Sequence, residues 1–309
     1  MRSAALALCL LATAHASGSE PLADNLDGPD FSAEGQLFYK RNAEQAAGGY
    51  SFQREELREG RATLKLSVRQ ACPALDRDCS ERAEVWERPA SHVPYLEGAW
   101  YAFSVKFADP VPQDDHRYVI AQWKRDILPG ATGDYSPLLA IRLNRGKLFV
   151  TAETDEVASH PREGAACPPG ETPVWAQPGR GQVRALIAAQ PGWLPQDGGL
   201  FASCTAAIRV EAHGAALPAP ESGWIDFAVH ARPGPAGDGR IEIIANGAHV
   251  ATASGSIGHA GPGLGPSQYF KFGPYRAGTA GAWSLYFAHF RRGARCADVT
   301  APEHCPGDG

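Results

Sequence analysis

Across 309 residues there is one methionine, no strong excess of either charge, and no apolar run long enough to cross a bilayer. A membrane helix needs about 20 consecutive apolar residues, so a helix-spanning membrane class does not fit. Lys and Arg number 29 against 34 Asp and Glu, a formal net charge of −5. That balance gives no wholesale attraction to nucleic acid or to a membrane surface, and an anionic ligand has to meet a local basic patch. The apolar stretch Ala4 to Ala12 follows Met1-Arg2 and runs into the small-residue site Ala14-His15-Ala16. This reads as a secretory signal peptide cleaved after Ala16, and the mature chain is expected to be secreted or periplasmic.

No C-x-x-C pair and no H-x-x-x-H spacing occurs, which removes common spacings of a zinc site. Loss of the leader takes Cys9 with it and leaves Cys72, Cys79, Cys167, Cys204, Cys296 and Cys305. An even number in an exported chain points to disulfides. Six cysteines allow about fifteen pairings. Order along the chain favours three local clips, Cys72–Cys79, Cys167–Cys204 and Cys296–Cys305.

Long helices are not expected either, because 34 glycines and 25 prolines punctuate the chain with turns. Between them, "WYAFSVKF" (Trp100 to Phe107), "YVIAQWK", "LLAIRL", "KLFVTAE", "WIDFAVHA" and "RIEIIANG" alternate over strand length. Asn246-Gly247 in "IANGAHV" is a tight hairpin turn. No internal repeat is visible. Strands at this spacing predict an all-β sandwich or jelly roll, a single domain over 17–309 with its core at about 37–295. The stretch from about Ala152 to Ala206, rich in Pro and Gly, is expected to be a long decorated loop of the kind that walls a groove. The N-terminal stretch to about Gln36 and the tail after Cys296 are expected to be peripheral.

Side chains alternate faces along a strand. In "YFKFGPYR" (Tyr269 to Arg276), Tyr269, Lys271 and Gly273 share one face, and Phe270 and Phe272 the other. In "ERAEVWER", Arg82, Glu84, Trp86 and Arg88 share a face opposite Ala83 and Val85. Gln122 shares a face with Lys124, and Arg142 lies opposite Leu139, Ile141 and Leu143. Any half-exposed antiparallel strand alternates polar and apolar residues, so chemical type decides. Arg, Gln, Lys and Tyr recur where Ser, Thr and Asp usually fill a wet face, and a sheet face built from them suits a polyanion.

In this order along the chain, "ERAEVWER", "EGAWYAFSVKF", "IAQWK", "SPLLAIRL", "GWIDFAVHARPGPAGDGRIEIIANG" and "YFKFGPYR" resemble segments of the heparin lyase I-like and glucuronan lyase-like polysaccharide lyases. The likeness covers roughly Gly60 to Arg292. More distantly the chain is similar to jelly-roll alginate lyases, which share an R-x-E-x-x-R-like, a Q-x-H and a Y-F-K-x-G-x-Y strand. The resemblance implies a concanavalin-A-like β-jelly roll that cleaves an anionic, uronic-acid-containing polysaccharide by β-elimination, leaving 4,5-unsaturated products. It favours glucuronan-like polymers, with alginate and heparin-like chains as other substrates.

Such a reaction removes the C5 proton beside a carboxylate and expels the C4 oxygen. It needs groups that neutralise the carboxylate, a base and an acid. The resemblance places the catalytic tyrosine at Tyr275, as acid and candidate base. An unperturbed phenol titrates near ~10, so Lys271 or Arg276 is expected to favour the phenolate. Gln122 and Arg82 are candidates to hold the carboxylate, with Glu84 orienting Arg82. Lys124 stands where the alginate lyases carry the histidine of Q-x-H; it could neutralise the carboxylate or, if desolvated, act as base. His92, His116, His160 and His230 are the imidazoles that could arrive from elsewhere.

Glu84, Trp86, Arg88, Arg142, Tyr269, Arg276 and His230 complete the expected substrate-binding set. Trp86, Trp175 and Trp193 are candidates to stack on sugar rings, whereas parity puts Trp123 in the core. No cofactor is required; a structural calcium suits such a fold, although no Asp-rich loop announces one. No nucleic-acid or membrane partner is implied, and a monomer is expected. Two other functions use the same fold. A glycoside hydrolase needs two suitably spaced carboxylates, and the E-x-D-x-x-E strand is absent. A non-catalytic carbohydrate-binding module would use the cationic face without Tyr275 chemistry.

Overall fold

The computed structural model describes residues 21–29, 37–40, 47–73, 76, 79–133, 135, 137–155, 160–161, 167–177, 182–193 and 201–307. The expected signal peptide lies outside them. The first strands are β1 (Leu22–Asp24), β2 (Phe38–Lys40), β3 (Gly48–Arg58), β4 (Arg61–Arg69), β5 (Ser80–Arg82), β6 (Val85–Glu87) and β7 (Val93–Pro94). Four longer ones follow: β8 (Ala99–Phe107), β9 (Tyr118–Ile127), β10 (Leu139–Asn144) and β11 (Lys147–Thr154). Next come β12 (His160–Pro161), β13 (Thr172–Gln177), β14 (Gln182–Ala189), β15 (Ser203–Thr205) and β16 (Ile208–Ala212). The last are β17 (Ile225–Arg232), β18 (Gly234–Ala245), β19 (Ala248–Ile257), β20 (Leu264–Ala277) and β21 (Ala282–Gly293). Among the described residues the only helical pieces are short 3-10 turns.

The strands form two sheets. A nine-stranded sheet runs β16-β19-β18-β17-β8-β21-β4-β3, with β1 also on β21. A twelve-stranded sheet runs β12-β15-β13-β14-β11-β10-β9-β20-β6-β2, with β5 and β7 also on β20. The pairings within both are antiparallel, as in β20 on β9 and β17 on β8. The architecture is the expected β-jelly-roll sandwich.

Alternation fills the space between the sheets. Tyr101, Phe103 and Val105 of β8, Phe227 and Val229 of β17 and Leu285 and Phe287 of β21 face Ile120 and Trp123 of β9, Ile141 of β10 and Phe270 and Phe272 of β20, all in one buried cluster. Phe270 sits among Tyr101, Phe103, Trp123 and Phe290, ring centroids 4.8–5.7 Å apart, so the greasy face of "YFKFGPYR" is an aromatic hub of the core. Asn246 and Gly247, at φ 49° and 76°, make the β18–β19 hairpin in the left-handed region that this pair tolerates.

Three expectations change. The stretch expected as a long decorated loop contributes β12 to β15, which widen the twelve-stranded sheet; Pro and Gly clusters between short runs hid the alternation of "TPVWAQ" and "QVRALIAA". The N-terminal stretch is not peripheral, because β1 pairs with β21 and Leu26 is buried in the core. Val119, which shares the parity that puts Trp123 in the core, pairs instead with Tyr275 and Arg142 on the outer face. One extra β9 residue at Ile120 flips the phase there, as a bulge does.

The disulfides are Cys72–Cys79, Cys167–Cys204 and Cys296–Cys305, the three local clips. The last anchors the tail, where Cys296 and Val299 pack on Trp100, Ala102, Ala228 and Ile244.

Candidate active site

Register decides what meets Tyr269, Lys271 and Tyr275 on the outer face of the twelve-stranded sheet. Tyr269 lies opposite Lys124; Lys271 lies between Gln122 and Trp86; Tyr275 lies between Val119 and Arg82. One strand further, Arg142 pairs with Val119. A β-bulge between Phe272 and Tyr275 carries Gly273 at φ 125°. A Cβ there would stand 2.2 Å from the Ala83 carbonyl oxygen, so only glycine lets β20 approach the β5–β6 link this closely.

Glu84 ties the centre together. It is 1 % exposed, accepts from Lys271 Nζ at 2.7 Å and from Gln122 Nε2, and lies 3.9 Å from Arg82 Nη1. A carboxylate so engaged is an anchor and not a base. Lys271 is wholly buried, its Nζ 4.4 Å from the Trp86 ring centroid. Burial pushes its pKa down to about 8, with Glu84 opposing and Lys124 and Arg82 adding to the fall. Lys271, expected among the catalytic groups, thus lies buried against the Trp86 ring with its ammonium on Glu84.

Tyr275 is flanked by two cations. The Arg82 and Arg117 guanidinium carbons lie 4.0 and 4.8 Å from its ring centroid. Ser80 Oγ donates to the phenol oxygen at 3.4 Å and accepts from Arg117 Nη2 at 3.2 Å. Burial disfavours the phenolate, but Arg117, Arg82 and the Ser80 hydroxyl outweigh it and hold the phenol below its usual pKa. Arg276 takes no part in this. It points to the opposite face, as strand alternation requires. There it is 2 % exposed, with Nε on Glu81 Oε2 at 2.6 Å and Nη2 on the Thr279 and Gly281 carbonyls.

Arg142 is the unusual cation. It is 6 % exposed, and its Nε donates to Thr151 Oγ1 at 3.0 Å. Among the described residues it forms no ion pair; the nearby Glu153 is engaged by Arg184 at 3.1 Å. Burial, with Arg184 beside it, pushes its pKa down to about 9. A buried charge held without an ion-pair partner is costly.

Other expected residues are scattered. Tyr269 stacks on Trp86 and on His92, centroids 5.6 and 4.8 Å away. His92 Nε2 lies 3.2 Å from the Glu87 carbonyl, which can only accept, so Nε2 carries the proton, and burial lowers this imidazole's pKa. Arg88 follows β6, its backbone N–H bonded to Leu37. His230, expected at the site, lies instead on β17 of the other sheet and stacks on Trp100 at 5.1 Å. His116 sits by Asp114 at 3.6 Å, ahead of β9. The His160 side chain lies outside the described residues. Trp193 is buried against Phe149, while Trp175 is half-buried. No group of three or more His, Cys, Asp or Glu among the described residues is placed to hold a metal ion.

Sequence reasoning missed Arg117, Ser80, Arg184 and His259. Arg117 shares parity with Val119 just ahead of β9, a signal that was present but faint. His259 is 2 % exposed, with Nδ1 on Asp155 and Nε2 3.2 Å from Glu153 Oε2. Burial lowers its pKa, but the two carboxylates prevail and raise it overall.

The jelly-roll sandwich thus gathers guanidiniums, an amide, a lysine and a phenol on one sheet face. A family described as polysaccharide lyase matches residues 31–291. The chain belongs to that family and is a polysaccharide lyase.

No curated protein matches the sequence. The endo-β-1,4-glucuronan lyase of the fungus Trichoderma reesei aligns with a TM-score of 0.55 at 17 % identity, over 92 % of this chain and 98 % of that one. Cellulose induced protein Cip1 aligns at 0.48 and 13 %, over 89 % and 97 %. Alginate lyase A1-II', a member of polysaccharide lyase family 7, aligns at 0.41 and 12 %, over 78 % and 82 %. At these identities the first likeness shows the fold.

Proposed function

We propose that this lyase cleaves a glucuronate-containing polyanion by β-elimination, with Tyr275 as both base and acid. The observation that carries the reading is Arg142, a buried guanidinium without an ion-pair partner among the described residues, whose electrostatic neighbours include Tyr275, Arg117 and Arg184. A bound uronate carboxylate would supply the missing anion. Gln122, one strand over on β9, is fixed by Glu84, and Lys124 lies further along that strand, opposite Tyr269.

The Tyr275 phenolate takes the C5 proton. The C5 electron pair forms the C4–C5 double bond, the C4–O bond breaks, and the phenol returns its proton to the leaving oxygen. In a β-1,4-linked glucuronate the C5 hydrogen and C4 oxygen lie on the same ring face, so one group can serve both steps. Cations around the carboxylate stabilise charge as it moves onto the enolate, and no further cofactor is called for. The fungal neighbour is an endo-β-1,4-glucuronan lyase, which supports testing that polymer first. The reading extends to an exported monomer, with three disulfides in keeping with an oxidising compartment.

The test is ultraviolet absorbance of the conjugated uronide on glucuronan, alginate, heparin, hyaluronan and pectate, with Tyr275→Phe alongside. A rise on one polymer that the variant abolishes is the expected result. Binding without any rise would favour the carbohydrate-binding module, and new reducing ends without unsaturation a hydrolase.

A further inference from the structure

The polar face continues past Arg142. β11 and β14 place Glu153 directly opposite Arg184, and β13 places Trp175 directly opposite Arg184 on its other side. Arg184 Nε donates to Glu153 Oε1 at 3.1 Å, and its guanidinium carbon lies 4.8 Å from the Trp175 ring centroid. Glu153 is 1 % exposed and is itself held by His259. Trp175 packs along the Phe149, Trp193 and Phe201 cluster. This arrangement is built from beneath: a buried carboxylate fixes the guanidinium, and an aromatic cluster fixes the indole.

From the chemistry, a half-buried indole with a guanidinium over one of its ring faces brings apolar and cationic contact together, which suits a uronate sugar. The apolar ring face stacks on the indole, and a guanidinium, with five N–H donors in a planar fork, can serve Glu153 and a sugar carboxylate together. From the topology, five strand steps separate β20 from β13, about 24 Å along the sheet at the usual strand spacing. A sugar at Trp175 is thus several units from the bond at Tyr275.

We infer that Trp175 and Arg184 form a remote subsite that grips a uronate residue of the polymer well away from the cleaved bond. The inference rests on the lyase reading above. It makes this chain a grip on long polymers, with binding energy drawn from a contact that never touches the reacting atoms.

The test is calorimetric binding in a Tyr275→Phe background, using whichever polymer of the panel binds and a disaccharide of the same sugar. Trp175→Ala should weaken polymer binding about ten-fold, the value of roughly one well-made contact, and leave the disaccharide unchanged. Trp175→Phe should keep the platform and the affinity, which guards against loss by misfolding. Undiminished polymer binding, or equal loss for polymer and disaccharide in folded variants, overturns the subsite. A Tyr275→Phe protein that binds no polymer overturns the polyanion reading itself, and the subsite with it.

Discussion

Replacing Glu84 by glutamine keeps the shape of the side chain and removes the one negative charge at the centre of the site. Lys271 Nζ and Glu84 Oε2 are 2.7 Å apart, with side chains 0 % and 1 % exposed. At an effective dielectric of about 20, a pair at that distance attracts by about 6 kcal/mol before desolvation is counted. Breaking a buried pair from one side typically costs about 3–5 kcal/mol, because the other charge is left stranded. Glu84→Gln should therefore lower unfolding stability by about that amount in urea titrations with the disulfides intact. Adding Lys271→Met removes the stranded charge, fills similar volume beside Trp86 and should recover at least half of the loss. Activity should not return with it, because Gln122 and Arg82 remain without their anchor. A Glu84→Gln loss below about 1 kcal/mol, or a double variant no more stable than the single one, would refute the assignment of Glu84 and Lys271 as a mutually dependent buried pair.

Arg142→Met should separate stability from function: unfolding stability unchanged or higher, since a buried cation with no ion pair among the described residues is removed, with kcat/KM down about 100-fold or more from lost charge stabilisation. A parallel fall in stability would show that Arg142 serves the fold. Arg117→Ala should move the acidic limb of the pH–kcat/KM profile to higher pH. Arg117 holds the Tyr275 phenol below its usual pKa, so its loss raises that pKa and leaves less phenolate at any given pH. Difference titration of tyrosinate absorbance against Tyr275→Phe checks the same shift without turnover, and an unmoved titration would count against it. Gly273→Ala should cost about 3 kcal/mol from a backbone conformation L-residues avoid and a Cβ forced to 2.2 Å from the Ala83 carbonyl oxygen. Thermal unfolding at wild-type temperature would contradict the close approach.

Local alternation and residue chemistry are written in the chain, and they carried a good share of the architecture. Phe270 and Phe272 against Tyr269, Lys271 and Tyr275, Arg82 and Glu84 against Ala83, and the Asn246-Gly247 turn could each be read within a few residues, because strand periodicity and turn conformations are local properties. Even cysteine count and order suggested the three clips.

What pairs with what is not local. That Glu84 receives Lys271 rather than chiefly Arg82, that Arg117 joins Arg82 at Tyr275, and that Arg276 turns away to Glu81 all depend on register between segments up to 195 residues apart. That register is set by bulges at Ile120 and Gly273, and a one-residue slip turns a strand's faces over. His230 shows the same limit: its parity was legible, but only sheet assignment put it on β17, across the sandwich from Tyr275. The sequence by itself determined which side chains share a face of each strand, and hence a β-sandwich with a cationic, phenolic face. Only the tertiary structure decided which faces are brought together, because contact between distant strands is fixed by packing of the whole core and not by any segment's own periodicity.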